Sequence, residues 1–172
     1  MDLGKNAGSI IGNAIVESDR QSLWKWGVLS IQIGLGALFI YAGVTKLLDP
    51  LRFEASILGY QIIPLWLVGP IRTVMPWIEI ILGLSLVMGW RPQLTSGALA
   101  TLLIIFTILV VFAIANGWIV DCGCFGSPHP ADGWKVVQNG VMLGITILFN
   151  RYPQLVRPYQ EWKLWLVRDK KP

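Results

Sequence analysis

From Trp26 to Thr45 the chain reads WGVLSIQIGLGALFIYAGVT, an apolar run without a charge, flanked by Lys25 and Lys46 and closed by Asp49-Pro50. A helix needs roughly 20 such residues to cross the hydrocarbon core of a bilayer, and only helices and closed barrels satisfy their own backbone there. Two more runs follow, Leu65 to Met88, closed by GWRP, and Leu94 to Ile119. A fourth, VVQNGVMLGITILF from Val136 to Phe149, is shorter. It approaches spanning length only when extended back to Trp134 through Lys135, whose stem can snorkel. The pattern predicts an all-α fold, a four-transmembrane-helix bundle. With 54% hydrophobic and 14% charged residues, the chain is too apolar for a water-soluble globule.

The charges orient the bundle. Lys5, Arg20 and Lys25 precede the first run, Arg91 separates the second and third, and Arg151, Arg157, Lys163, Arg168, Lys170 and Lys171 follow the fourth. Under the positive-inside rule these are cytoplasmic, and so are both termini. Lys46, Arg52, Arg72 and Lys135 fall on or toward the other side, so the bias is a majority and not a strict partition. Topology accounts for the net charge of +4 better than phosphate binding does, and no nucleic-acid partner is expected. The expected location is the inner (cytoplasmic) membrane of a bacterium, with multiple passes and the lipid bilayer as first partner. The connections Leu48 to Pro64 and Val120 to Gly133 then face the periplasm.

Three segments emerge. Residues 1–23 form a polar tail whose Gly4, Gly8 and Gly12 lower helix propensity; it lacks the apolar core of a removable signal, so the first run is expected to be retained. Residues 24–150 form the membrane domain. Residues 151–172 are basic and aromatic, suited to lying against anionic lipid. Trp24, Trp26, Trp66, Trp90, Trp118 and Trp134 cluster near the span ends, as interfacial anchors do. Gly34, Gly36 and Gly43 on the first span and Gly83 on the second are expected to permit close helix contact.

Both cysteines and the one histidine of the chain fall in IVDCGCFGSPHP, Ile119 to Pro130. A bridge between Cys122 and Cys124 would close a small ring that needs Gly123 for its turn, and strain of that kind makes a disulfide easier to reduce. A staple across one residue removes little entropy from the unfolded chain, so exchange is favoured over permanent bridging. Asp121 opposes thiolate formation by like charge, which argues against a strong oxidant. Two other readings stay open. The cysteines are small buried residues or a passive staple, or Cys122, Cys124 and His129, with Asp121, offer a metal a tetrahedral donor set, though the spacing matches no standard zinc pattern and His129 between prolines otherwise reads as a surface loop residue.

Glu79 falls inside the second span, where a lone carboxylate is costly. Arg72, seven residues earlier and on nearly the same helix face, or Lys46, at the end of the first span, is its expected partner, unless it stays protonated. The site is then either a polar clamp between helices or a proton relay linked to thiol oxidation or quinone chemistry. Pro76 is expected to kink the helix and open room beside it.

In order, FIYAGVTKLLDP, PWIEIILGLSLVMGW and DCGCFG resemble the MauE branch of the DoxX-like integral membrane proteins over roughly Trp24 to Phe149. The matching residues are Gly43, Lys46, Asp49, Pro50, Pro76, Glu79, Gly83, Cys122, Cys124, Phe125 and Gly126. The resemblance implies a four-helix membrane protein needed for methylamine utilisation. It further implies a role in forming or maintaining disulfides of the periplasmic methylamine dehydrogenase small subunit, alongside a thioredoxin-like partner; many relatives occur outside that pathway, so the client does not carry over. The expected function is thiol-disulfide exchange through Cys122 and Cys124 with a periplasmic thioredoxin-like or disulfide-containing client, supported by Asp121, Gly123, Phe125, Gly126, Glu79, Lys46 and Arg72. The scheme leaves open a transfer of electrons to a quinone; with no second cysteine pair, any direct oxidant must reach Cys122 and Cys124 or act through a partner. The alternatives are a non-enzymatic membrane scaffold or assembly subunit, and a metal-binding membrane protein.

Overall fold

The structure, a computed structural model, describes residues 3–118 and 133–156, with side chains for residues 24, 26–118 and 133–156. The described residues are all-helical: α1 (Leu3–Leu48), α2 (Pro50–Gly59), α3 (Leu65–Met88), α4 (Pro92–Ala115), α5 (Gly133–Arg151) and a short 3-10 turn (Pro153–Leu155). Three stretches are long and apolar enough to cross a membrane: Trp26–Leu48, Leu65–Met88 and Pro92–Ala115. The fourth expected crossing, α5, is a helix of 19 residues, but Lys135, Gln138, Asn139 and Asn150 dilute it below that apolarity. The backbone of α1 also starts at Leu3, where the glycine-dotted tail was expected to resist helix. Once the apolar span has nucleated a helix, each added residue gains a hydrogen bond without a new nucleus.

Polarity runs inside out. Gln32, Lys46, Glu79, Thr95, Ser96, Asn139 and Thr146 are buried, while Ile81, Ile108 and Val141 are exposed. That distribution suits lipid as the outer solvent, because hydrocarbon has no penalty for apolar surface and a large one for polar groups. Trp24, Trp26, Trp66 and Trp90 are exposed near the ends of the apolar spans and Trp134 near the start of α5, as anchors require. Trp118 differs: its ring meets Phe112 edge-on at 5.6 Å and packs against the Tyr60–Ala113 cluster.

α1 and α3 run antiparallel and almost touch. A Cβ on Gly36 would lie 2.8 Å from the Gly83 carbonyl oxygen, one on Gly83 2.7 Å from that of Gly36, and one on Gly43 2.6 Å from that of Pro76. Gly36 and Gly43 are two helical turns apart and share a face. Gly34, expected in the same role, has nothing within 4 Å of its Cβ position; it lies two residues, about 200°, around the helix from Gly36. Farther toward the Met88 end, buried Gln32 donates through Nε2 to the Leu86 carbonyl at 2.8 Å, a tie between helices of the kind that polar side chains make in bilayers.

The connection after α1, Leu48 to Pro64, contains α2. Asp49 accepts the Arg52 N–H at 3.1 Å and Pro50 takes the first turn, a preferred helix start. Phe53 and Ile57 of α2 pack on Val68 of α3, and Tyr60 packs on Ala113 near the end of α4. α5 runs back along α4, since Gly97 of α4 lies beside Asn150. The ends of α1 and α4, the starts of α3 and α5, and α2 therefore share one end of the bundle.

Candidate functional site

Helical side chains lean toward the N-terminus of their helix. In antiparallel α1 and α3, Lys46 therefore leans down into the bundle and Glu79 leans up to meet it. Lys46 Nζ donates to Glu79 Oε1 at 2.5 Å, and both side chains are almost wholly buried, at 3% and 2% exposure. Two aromatic rings flank the ammonium, Phe53 of α2 with its centroid at 5.3 Å and Phe106 of α4 at 5.4 Å. Desolvated contacts of this kind contribute up to about 2 kcal/mol each. Gly43, one turn before Lys46, makes the approach possible, because a Cβ there would meet Glu79 Cβ at 3.3 Å. Pro76, one turn before Glu79, is buried against this contact. Four helices thus meet around one ammonium.

Arg72 is not the partner of Glu79. It bonds Glu54 of α2 at 2.6 Å, with both side chains more than a third exposed, because it leans toward the start of α3 and away from Glu79. That surface pair ties α2 to α3 but is worth at most about 1 kcal/mol.

Asp121, Cys122, Gly123, Cys124, Phe125, Gly126 and His129 lie outside the described residues, as does most of the basic tail. Trp118 and Gly133, which bracket the segment, both stand at the α2 end of the bundle. Among the described residues no group of three or more His, Cys, Asp or Glu could hold a metal.

The sequence reading missed Phe53, Phe106 and Asn139. Asn139 had a signal: with Met142, Thr146 and Phe149 it makes the buried face of α5 at helical spacing, and a buried amide on such a face needs a partner. Nothing local marked the two phenylalanines, whose role depends on which cation lies nearby.

Against known proteins, residues 24–150 match the family model of methylamine utilisation protein MauE. The methylamine utilization protein MauE of Methylorubrum extorquens is 30% identical over 89 residues, 51% of this chain and 48% of the relative. Its counterpart from Methylophilus methylotrophus is 26% identical over 88 residues, 51% and 46% of the two chains. The MauE of Paracoccus denitrificans is 25% identical over 121 residues, 69% and 65%. The chain thus spans about half the length of the first two relatives and just under two thirds of the third. No solved structure matches it.

Proposed function

Because this chain belongs to the MauE family, a multi-pass membrane family by its apolar helices, we propose that it serves methylamine utilisation or a related pathway by maturing a periplasmic client through thiol-disulfide exchange at Cys122 and Cys124. The observation that carries this reading is that one family match, residues 24–150, takes in both the buried Lys46–Glu79 centre and the cysteine segment. Its setting is a bundle of four crossings in the bacterial inner membrane, with both termini cytoplasmic. α5 makes the fourth crossing by packing against α4, which shields its Asn139 and Thr146 from lipid.

The exchange step balances within the pair and its client. A client thiolate attacks one sulfur of the Cys122–Cys124 disulfide and forms a mixed disulfide while the other sulfur leaves as thiolate. The second client thiol then attacks the mixed disulfide, so the client gains a disulfide and the pair takes two electrons and becomes a dithiol. A lipid-soluble quinone, reduced to quinol by those two electrons and two protons, is the acceptor class that regenerates the bridge. Lys46 and Glu79 join α1 to α3 beside Phe106 of α4, the helix that leads toward the segment.

Mass spectrometry of acid-quenched, thiol-trapped membranes tests the reading. A Cys122–Cys124 bridge in the oxidised wild type and a mixed disulfide with a second protein in Cys122→Ser or Cys124→Ser are expected. No bridge, no mixed disulfide and full function in the double serine variant would replace exchange with a scaffold role.

A further inference from the structure

α1 packs along α3 and α5 along α4, and between the two pairs α1 and α5 leave a groove of about 490 Å³. Small-molecule sites take about 300–1,000 Å³. Leu35 and Met142, both buried, line its inner side, while Ile31, Leu38, Val137 and Val141 line it and are exposed. Gly34 lines it too and has nothing within 4 Å of its Cβ position. The glycine that makes no helix contact therefore keeps the groove open. Along α5 the lining runs from Trp134 to Ile145, about 16 Å at the rise of an α-helix.

The polar side chains of the groove sit at one end. Trp134 and Gln138, one turn apart on α5, bring neutral N–H donors, an indole and an amide. Among the described residues no charged side chain lines the groove, and the neighbouring Lys135 does not reach it. That end is also where the chain enters α5, at Gly133, from the cysteine segment. An apolar groove with exposed walls in a bilayer takes up a chain from the membrane. A phospholipid would bring a phosphate, for which no lining cation is present. A neutral head whose oxygens accept hydrogen bonds, carried on a long hydrocarbon tail, matches both the donors and the length, and a prenylated quinone has that form.

We propose that this groove binds a prenylated quinone, its tail running along α5 toward Ile145 and its ring at Trp134 and Gln138, whose N–H groups donate to a ring carbonyl. The assignment rests on the exchange reading for its purpose and adds the place where the oxidant sits. The reduced pair gives two electrons and two protons to the ring, leaving a Cys122–Cys124 disulfide and a quinol.

The test is photo-crosslinking of the full-length protein, in bilayer discs of phosphatidylethanolamine and phosphatidylglycerol, with a ubiquinone carrying an azide on its ring. Cross-linked peptides are then identified by mass spectrometry. Both cysteines are changed to serine, so that binding is read without exchange. Cross-links within residues 133–145 or 31–38 are expected, displaced by ubiquinone and not by the same prenyl tail without a ring or by added phosphatidylglycerol. Gln138→Leu is expected to bind roughly fivefold more weakly, the effect of one hydrogen bond. Gly34→Leu puts a side chain into the groove and not into a helix contact, and is expected to lose the cross-link while keeping its helical circular dichroism. No cross-link in the groove of the background protein, or equal displacement by the headless tail or the phospholipid, would overturn the proposal whether or not either variant folds. With the cysteines restored, ubiquinone is expected to oxidise the reduced pair, and to do so more slowly in Gly34→Leu. A bridge and a mixed disulfide without a groove cross-link would sink the quinone site alone, and a groove cross-link beside cysteines that never form a bridge would sink the exchange reading alone.

Discussion

Gly43 shows how one missing side chain sets a site. Its Cβ position is 2.6 Å from the Pro76 carbonyl oxygen and 3.3 Å from Glu79 Cβ, so Gly43→Ala must separate α1 from α3 where Lys46 meets Glu79. Overpacking of this kind costs about 1–3 kcal/mol, whereas Gly34→Ala, in open space, is expected to be neutral or to stabilise by up to about 1 kcal/mol through helix propensity. Denaturant unfolding of the two variants in micelles checks the contrast, and equal effects would refute the close-contact account. The buried pair makes a second prediction. Lys46→Met strands a buried carboxylate and is expected to lose about 3–5 kcal/mol, while Lys46→Met with Glu79→Leu recovers most of it, because removing both charges removes both desolvation costs. Arg72→Ala is expected to change stability by less than about 1 kcal/mol, and a double-mutant cycle with Glu79 should show no coupling. The sequence exposed Glu79 as a carboxylate needing a partner but left Arg72 and Lys46 equivalent. Side-chain lean in two antiparallel helices separates them.

α2 carries the next scale of prediction. Asp49-Pro50 reads as the stop of the first span, and it is one; the same two residues also start a helix, with Asp49 capping and Pro50 in the first turn. Losing the cap in Asp49→Ala is expected to cost about 1 kcal/mol, which appears as a roughly fivefold rise in amide exchange across residues 50–59. Phe53→Ala is expected to be worse, by about 3–5 kcal/mol, because Phe53 packs on Val68 and also covers the Lys46 ammonium. If exchange across α2 rises equally in both variants, Phe53 has no role beyond its own helix. α2 was hidden because ten residues with mixed polarity carry little periodic signal, and their stability comes from packing on α3. α5 reads from the sequence as a fourth crossing, and the structure gives a helix of 19 residues that falls short of the apolarity of the other three, with its polar Asn139 and Thr146 buried.

For the whole molecule, the antiparallel course of the helices places α2, Trp118 and Gly133 at one end and the Gly89–Arg91 turn at the other. In a background with both cysteines changed to serine, an impermeant thiol reagent added outside intact cells is expected to label Leu51→Cys, which is exposed, and to leave Trp90→Cys unlabelled until the membrane is opened. Labelling at both sites, or at Trp90→Cys alone, would contradict the proposed orientation. What the sequence determined by itself was the material and the solvent, helices with lipid around them, and three of the four crossings it led us to expect, because spanning length and apolarity are local properties that no neighbour can reverse. Only the tertiary structure decided that Lys46 meets Glu79 between two phenylalanines, that Gly36, Gly43 and Gly83 make the helix contact while Gly34 does not, and that Asn139 shares a cavity with a carboxylate 60 residues away in the chain. Those outcomes depend on which faces of separate helices are pressed together, and in a bilayer that choice is made by close packing and polar pairing, since apolar surface alone gives one face no advantage over another.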